Sequence, residues 1–160
     1  MKHIISAIVE NRSGVLAHIA GLFSSRGFNI DSVSVGRTED PRVSRMTIVV
    51  EGDEQTLEQV RKQLGKVIDV LRVQDYMGRD IVKRDLALIK INANQAKRLE
   101  VISLVNIFEG KVVDISAEDM MVEIVGPDTK IDAFVELVLP YGVKEMARTG
   151  IVALARTEKK

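Results

Sequence analysis

Glu10-Asn11-Arg12-Ser13-Gly14-Val15-Leu16 joins an apolar run to the start of an amphipathic pattern. A helix N-terminus presents unpaired N–H groups and partial positive charge. Gly14 removes the side chain that would keep a ligand off that backbone, so the turn can hold a carboxylate. Asn11 can offer an amide carbonyl to an ammonium or an amide N–H to a carboxylate. Asn29, opening the second strand, is expected to offer the same two options nearby. Val15, Leu16, Ile30 and Val35 supply a small apolar wall. Such a set suits a small aliphatic amino acid. The residue types alone leave a second reading open, in which Asn11 or Ser13 only caps the helix and Gly14 only eases the turn.

Catalytic chemistry finds little support. The chain has no G-x-S-x-G elbow, no G-x-x-x-x-G-K-[ST] loop and no G-x-G-x-x-G turn. It has no cysteine, which removes disulfides, thiolate metal sites and cysteine nucleophiles together. The two histidines, His3 and His18, have no partner arrangement in the sequence, and His18 reads as a partly exposed helix residue. No Asp/Glu cluster has calcium-loop spacing. Asp53-Glu54 and Glu118-Asp119 read as helix-start and turn residues. No catalytic or metal-binding residue is assigned.

The elements that must position the turn occur twice. Ile4–Glu10 reads as a strand and Gly14–Arg26 as a helix, with Val15, Ile19, Leu22 and Phe23 on one face and Leu16 and Ala20 beside them. Gly27 ends that helix at a position needing φ > 0. Asn29–Gly36 and Arg45–Glu51 are strands around a loop with Asp40-Pro41. Asp53 caps a helix to about Gly65 with Leu57, Val60 and Leu64 inward, and Val67–Gln74 is the last strand. The second half repeats the plan. It has a strand Leu86–Asn92 and a helix Asn94–Glu109 with Leu99, Ile102, Val105 and Phe108 inward, ended by Gly110. Strands Lys111–Ser116 and Met120–Val125 follow, then a helix Asp128–Leu139 with Ile131, Phe134, Val135 and Val138 inward, and a final strand within Val143–Leu154. The fold class is α+β: two tandem ferredoxin-like βαββαβ domains, each an antiparallel sheet with both helices on one face. Domain boundaries fall at 1–76 and 84–157, with the join near Tyr76–Lys83 and a frayed tail over Thr157–Lys160. A half of this size has a thin core and one bare sheet face, so a dimer is expected.

Composition narrows the function. The 160 residues carry 23 basic and 23 acidic side chains, so electrostatic capture of nucleic acid is not expected. RNA modules of this topology stack bases on aromatics of the two central strands. Neither Ile4–Glu10 nor Arg45–Glu51 contains Phe, Tyr or Trp. No stretch approaches the ~20 apolar residues of a membrane span. The N-terminal apolar run closes too early for a signal-peptide core, so the expectation is a cytoplasmic protein.

Asn11-Arg12-Ser13-Gly14-Val15-Leu16, followed by Gly21-Leu22-Phe23-Ser24-Ser25-Arg26-Gly27-Phe28-Asn29-Ile30, resembles the ACT domain of acetolactate synthase (acetohydroxyacid synthase) regulatory subunits. The likeness continues through Asp31–Gly36, Ser44–Val50 and Gln63–Leu71. The second half is similar to that family's C-terminal domain, more loosely, at Ile107-Phe108, Val112–Ile115 and Ala147-Arg148-Thr149-Gly150. The resemblance implies an N-terminal ACT domain for effector binding and dimerisation, and a C-terminal ACT-like domain for assembly and contact with the catalytic subunit. It implies a non-catalytic homodimer that activates a catalytic (large) subunit, which carries thiamine diphosphate, magnesium and FAD, with no cofactor on this chain. That enzyme condenses two pyruvates to 2-acetolactate in branched-chain amino-acid biosynthesis. Valine would bind between two ACT domains and inhibit, through Asn11, Gly14, Val15, Leu16, Asn29 and Ile30. Some members carry Ala-Pro where this chain has Gly36-Arg37, which bears on effector sensitivity and preference. A stand-alone amino-acid sensor with another target is the alternative.

Overall fold

The computed structural model describes residues 1–157, so residues 158–160 of the expected tail lie outside the described residues. The chain divides into two compact units, Met1–Val82 with Ile151 onward, and Lys83–Gly150.

The first unit contains β1 (Lys2–Glu10), α1 (Val15–Ser25), β2 (Ile30–Arg37), β3 (Val43–Glu51), α2 (Glu54–Leu64) and β4 (Val70–Asp75). Its sheet has the order β2-β3-β1-β4 with every neighbour antiparallel. Alternation decides which side chains meet the helices. Ile5, Ala7 and Val9 of β1 and Met46, Ile48 and Val50 of β3 pack against Val15, Ile19 and Phe23 of α1 and Leu57, Val60 and Leu64 of α2. Each such large side chain contributes about 1.5–3 kcal/mol by leaving water. Gly27 takes φ 67, and the N–H groups of Gly27 and Phe28 reach back to Ser24 O and Phe23 O, so α1 ends as the sequence predicts. Asp53 accepts from Thr56 N at 2.8 Å and caps α2. The sheet face away from the helices is partly covered. Val49 and Tyr76 form a small cluster with Ile151 and Ala153, and Ile4 and Ile81 pack against it.

The second unit repeats the plan. β5 (Ile81–Asn92) begins in the first unit and runs into the second. α3 (Arg98–Ile107), β6 (Lys111–Ile115), β7 (Asp119–Gly126), α4 (Asp128–Val138) and β8 (Val143–Arg148) follow, and the sheet order is β6-β7-β5-β8. Ala87, Ile89 and Ile91 meet Val101, Val105, Ile131, Phe134 and Val138 in the core.

Several expected details differ. The helix expected from Asn94 starts at Arg98, because residues 94–97 form a turn in which Lys97 N and Arg98 N both reach Asn94 O at 3.0 Å. Val101 and Val105 of α3 are buried and Leu99 is 76% exposed, reversing the assignment of Leu99 to the core. Leu16 and Ala20 of α1 are exposed rather than flanking the core. The last expected strand is two. Gly150, at φ 78, separates β8 from β9 (Val152–Ala155), which pairs with β5. β4 starts at Val70 instead of Val67, since Val67 and Val70 close successive turns onto Leu64 O and Val67 O. Gly110 ends α3 for a reason other than a left-handed backbone. Glu109 takes the positive φ of 55, and a Cβ on Gly110 would meet Ile124 Cδ1 at 2.3 Å.

Candidate functional site

The turn that joins β1 to α1 is shaped by its neighbours in the first unit. Asn11 N–H donates to Arg42 O at 2.8 Å, and Asn11 Nδ2 donates to Pro41 O at 3.0 Å. Glu10 N–H donates to Asp69 O at 2.9 Å. The turn therefore rests on the β2–β3 loop on one side and the α2–β4 connection on the other. Asn11 Oδ1 and one amide N–H stay available to a ligand, and both are what recognition of an amino acid's charged groups needs.

Gly14 precedes α1 at φ 86, and α1 has no side-chain cap. Its carbonyl accepts from His18 N at 2.9 Å and starts the helical ladder. A Cβ added at Gly14 would meet no atom within 4 Å. Gly14 thus serves the backbone conformation and an open approach, not close packing. Val15 is buried at 4% and belongs to the core, whereas Leu16 is 52% exposed beside the turn. Of the two apolar residues expected there, Leu16 is the one free to meet a ligand.

Charge is concentrated here as well. Asp69 pairs with Arg12 Nη2, and His18 Nδ1 lies 3.9 Å from its other oxygen. Arg12 Nε is also 3.3 Å from Glu10 Oε2. The hydrogen bond and charge of Asp69, then the charge of Glu10, raise the Arg12 pKa further above its ordinary value. Asp69, Pro41 and Arg42 were not assigned to the site from sequence. They act through the fold, and a carboxylate or carbonyl contributed by a distant loop has no local spacing to reveal it.

Asn29 and Ile30 are not near this turn within one chain. Ile30 pairs with Val50, which pairs with His3 at the start of β1, while Glu10 at the end of β1 pairs with Val43. From His3 to Glu10 the strand runs roughly 23 Å at ~3.3 Å per residue. β2 is parallel to β1 across β3, so Asn29 opens it at the far end of the sheet. Asn29 is exposed there, and Ile30 is half-buried against the core. The expectation that Asn29 sits close to Asn11 in the same chain is corrected by the register. Val35 and its neighbour Val33 are 47% and 40% exposed along the β2 edge. At Gly36 on the same strand, a Cβ would enter open space.

No group of three or more His, Asp or Glu side chains converges among the described residues as a metal site would require. No helix of the described residues is long and apolar enough to cross a membrane. The second unit has an open groove of about 450 Å³ lined by Leu88, Lys90, Met121, Glu145, Met146 and Ala147. Lys90 and Glu145, register partners on β5 and β8, form an ion pair at 2.5 Å in its lining.

Comparisons with known proteins cover both units. A family profile described as an AHAS small subunit-like ACT domain matches residues 5–72, and one described as small subunit of acetolactate synthase matches residues 84–157. The chain is 49% identical to a probable acetolactate synthase small subunit of Methanothermobacter thermautotrophicus over 155 residues, covering 96% of this chain and 92% of the relative. It is 48% identical to the acetolactate synthase small subunit of Bacillus subtilis over 157 residues, covering 98% and 91%. The crystal structure of the acetolactate synthase small subunit from Thermotoga maritima superposes with a TM-score of 0.91 at 42% identity, covering 99% of each chain. With the tandem βαββαβ plan and profiles spanning both halves, the chain belongs to the acetolactate synthase small-subunit family.

Proposed function

We propose that this chain is a non-catalytic regulatory subunit that raises the activity of an acetolactate synthase catalytic subunit and makes it sensitive to valine. Thiamine diphosphate, magnesium and FAD belong to that catalytic subunit. The reaction regulated is the condensation of two pyruvates to 2-acetolactate with loss of CO₂, in cytoplasmic branched-chain amino-acid synthesis. Family membership supports the partner, and the uncapped turn at Gly14 supports the effector.

The observation that carries the effector reading is the separation of Asn29 and Ile30 from Asn11 and Gly14 along the sheet. A second copy paired antiparallel along β2 runs in the opposite direction. It brings its own Asn29 and Ile30 to the Arg37 end of this strand, beside Asn11, Gly14 and Leu16. The exposed edge valines Val33 and Val35 supply apolar surface for that pairing. Valine would then be held by two protomers, its carboxylate on the α1 N-terminus and its side chain against Leu16 and Ile30. For a ligand of about eight heavy atoms, a Kd on the order of 1–50 μM is reachable. A site shared by two chains also makes the dimer interface the element that switches. An affinity difference of ~100-fold between two arrangements supplies about 2.7 kcal/mol per site.

The test is acetolactate formation by the cognate catalytic subunit, alone and with this chain, with and without millimolar valine. Activation by the chain, with inhibition appearing on valine addition, is the expected result. Activation without inhibition removes valine as the effector, and no effect of the chain removes the regulatory role in favour of a sensor acting elsewhere. The shared site has its own test in mixed dimers of Gly14→Asp and Asn29→Ala chains. A shared site leaves one undamaged site per mixed dimer, so half the valine stoichiometry returns at wild-type affinity. A site within one chain leaves none.

A further inference from the structure

We propose that the Arg12–Asp69 ion pair is a positioning clamp that holds the β1–α1 turn in the shape that accepts the effector's carboxylate. The inference rests on the effector reading above and adds residues to which no role has been given. Asp69 sits in the α2–β4 connection, and its side chain is only 14% exposed. Its backbone carbonyl takes Glu10 N–H before the turn, its carboxylate takes Arg12 within the turn, and His18 follows on the first turn of α1. One residue thus touches the segment before Gly14, within the turn and after it.

The clamp also sets the local charge. Glu10 and Asp69 place two carboxylates beside a helix N-terminus that must receive a third from an amino acid. Arg12 contacts both, with Nε 3.3 Å from Glu10 Oε2 and Nη2 on Asp69. Without Arg12, the largely buried Asp69 carboxylate keeps, among the described residues, the ion-pair contact with His18 at 3.9 Å, an imidazole that is charged only when protonated. Asp40 and Arg42 on the β2–β3 loop pair with each other at 2.7 Å. Arg12 is exposed and Asp69 is shielded, so breaking the pair leaves an uncompensated carboxylate against the turn, and its effect is read first in the order of that turn.

The experiment uses the full chain with Arg12→Ala, Asp69→Asn, the double variant and Arg12→Lys. Valine affinity is measured by calorimetry, and amide hydrogen exchange is measured on the ligand-free proteins. Each single variant is expected to weaken valine about tenfold. The double variant is expected to be no weaker than either single one, because the unpaired carboxylate is gone with its partner. Arg12→Lys keeps the charge without the fork and is expected to recover part of the affinity. Exchange at residues 12–16 speeds up in Arg12→Ala while that of β3 and α2 is unchanged. Affinity within twofold of wild type in Arg12→Ala, or exchange that rises uniformly through the unit, overturns the clamp. If the wild-type chain binds no valine, the effector reading fails. The exchange measurement still decides whether Arg12 and Asp69 hold the turn.

Discussion

The two units share a sheet order and differ at the turn between first strand and first helix. Core positions align them. Ile5, Ala7 and Val9 of β1 correspond to Ala87, Ile89 and Ile91 of β5, and Ile19 and Phe23 of α1 to Val101 and Val105 of α3. On that alignment Asn11 corresponds to Ala93, Gly14 to Ala96, Asn29 to Lys111 and Ile30 to Val112. In the first unit the turn is propped from behind and left open in front. In the second it is filled by the protein itself. Asn94 Oδ1 accepts Lys97 N–H at 3.3 Å, and Arg98 Nη2 takes the carbonyls of Ala93 at 3.3 Å, Ala117 at 3.0 Å and Ser116. Topology alone therefore does not make a site. The turn proposed as a receptor has no side-chain cap, whereas its counterpart is a joint, with Asn94 accepting Lys97 N–H and Arg98 tying down the neighbouring carbonyls.

The second unit's investment in internal polar contacts gives the largest expected effect. Asp85, within β5, is 3% exposed. Its Oδ2 lies 2.8 Å from Arg148 Nε and 2.6 Å from Nη2, and its Oδ1 accepts from Thr149 Oγ1 at 3.2 Å. Arg148 Nη1 continues to Asp132 of α4 at 2.7 Å. The aligned position in the first unit is His3, whose Nε2 lies 3.0 Å from Gly52 O. Asp85→Ala should cost about 3–5 kcal/mol in chemical denaturation, because it leaves a partly buried guanidinium short of its partner. A loss below about 1 kcal/mol would show that Asp132 alone holds Arg148, and that the lock is not what distinguishes the units.

Arg98 tests the contrast at the turn directly. Arg98→Ala removes the donor shared by three carbonyls and should destabilise the chain by about 1–3 kcal/mol. Its exchange signature should be local to the β6–β7 connection and the start of α3. Full stability in this variant would mean that water replaces the guanidinium without loss, and the filled turn would not be a joint.

Gly14→Ala comes next. The added Cβ meets nothing within 4 Å, so the cost is only that of φ 86 in an L-residue, about 1–2 kcal/mol. Gly14→Asp costs less in the backbone, because aspartate enters the left-handed region more readily and can cap α1, but it also sets a carboxylate against the ligand's own. Gly14→Asp should be at least as stable as Gly14→Ala and yet respond less to the effector. Equal effector response would separate Gly14 from the ligand and leave it a turn residue.

Much of this was legible in the sequence because it follows from short-range pattern. Alternation over Ile4–Glu10, the period of Val15, Ile19 and Phe23, the cap at Asp53 and the stop at Gly27 all act within a few residues. The fold class followed from repeating that pattern twice. Leu99 was misplaced because the inward face of α3 runs through Val101 and Val105, with Ile102 and Phe108 packed beside them as expected, and Leu99 lies off that face. The final strand was run together because Val143–Leu154 is rich enough in strand formers to mask the break at Gly150. Asn11, Gly14 and Leu16 were readable as one cluster because they are adjacent in the chain. Asn29 was not placed correctly, since nothing local to it reports that β2 starts at the opposite end of the sheet. Asp69, Pro41 and Arg42 were invisible for the same reason.

The smallest effect concerns how the two turns are buttressed. In the first unit the support for Asn11 comes from Pro41 and Arg42, and that loop is closed by Asp40. Asp40 Oδ1 accepts from Arg42 N–H at 3.0 Å, and Oδ2 from Arg42 Nη2 at 2.7 Å. Side-chain hydrogen bonding to Arg42, then the backbone bond, lowers the Asp40 pKa from 3.8 to about 2. A folded-state pKa below the unfolded value means that the carboxylate's contribution is present above pH 3.8 and is lost as pH falls through about 2. Because the group lies at the surface, the consequence is local order more than global stability. A carboxyl titration followed by NMR should give Asp40 a midpoint near 2 in the wild type and move it towards 3.8 in Arg42→Ala. An ordinary midpoint in the wild type would remove the Asp40–Arg42 contact in solution. The second unit provides the control. Its corresponding β6–β7 connection is held by Arg98 on backbone carbonyls, which do not titrate. Amide exchange should therefore loosen around Asn11 across this pH window while the turn at Ser116 and Ala117 keeps its protection.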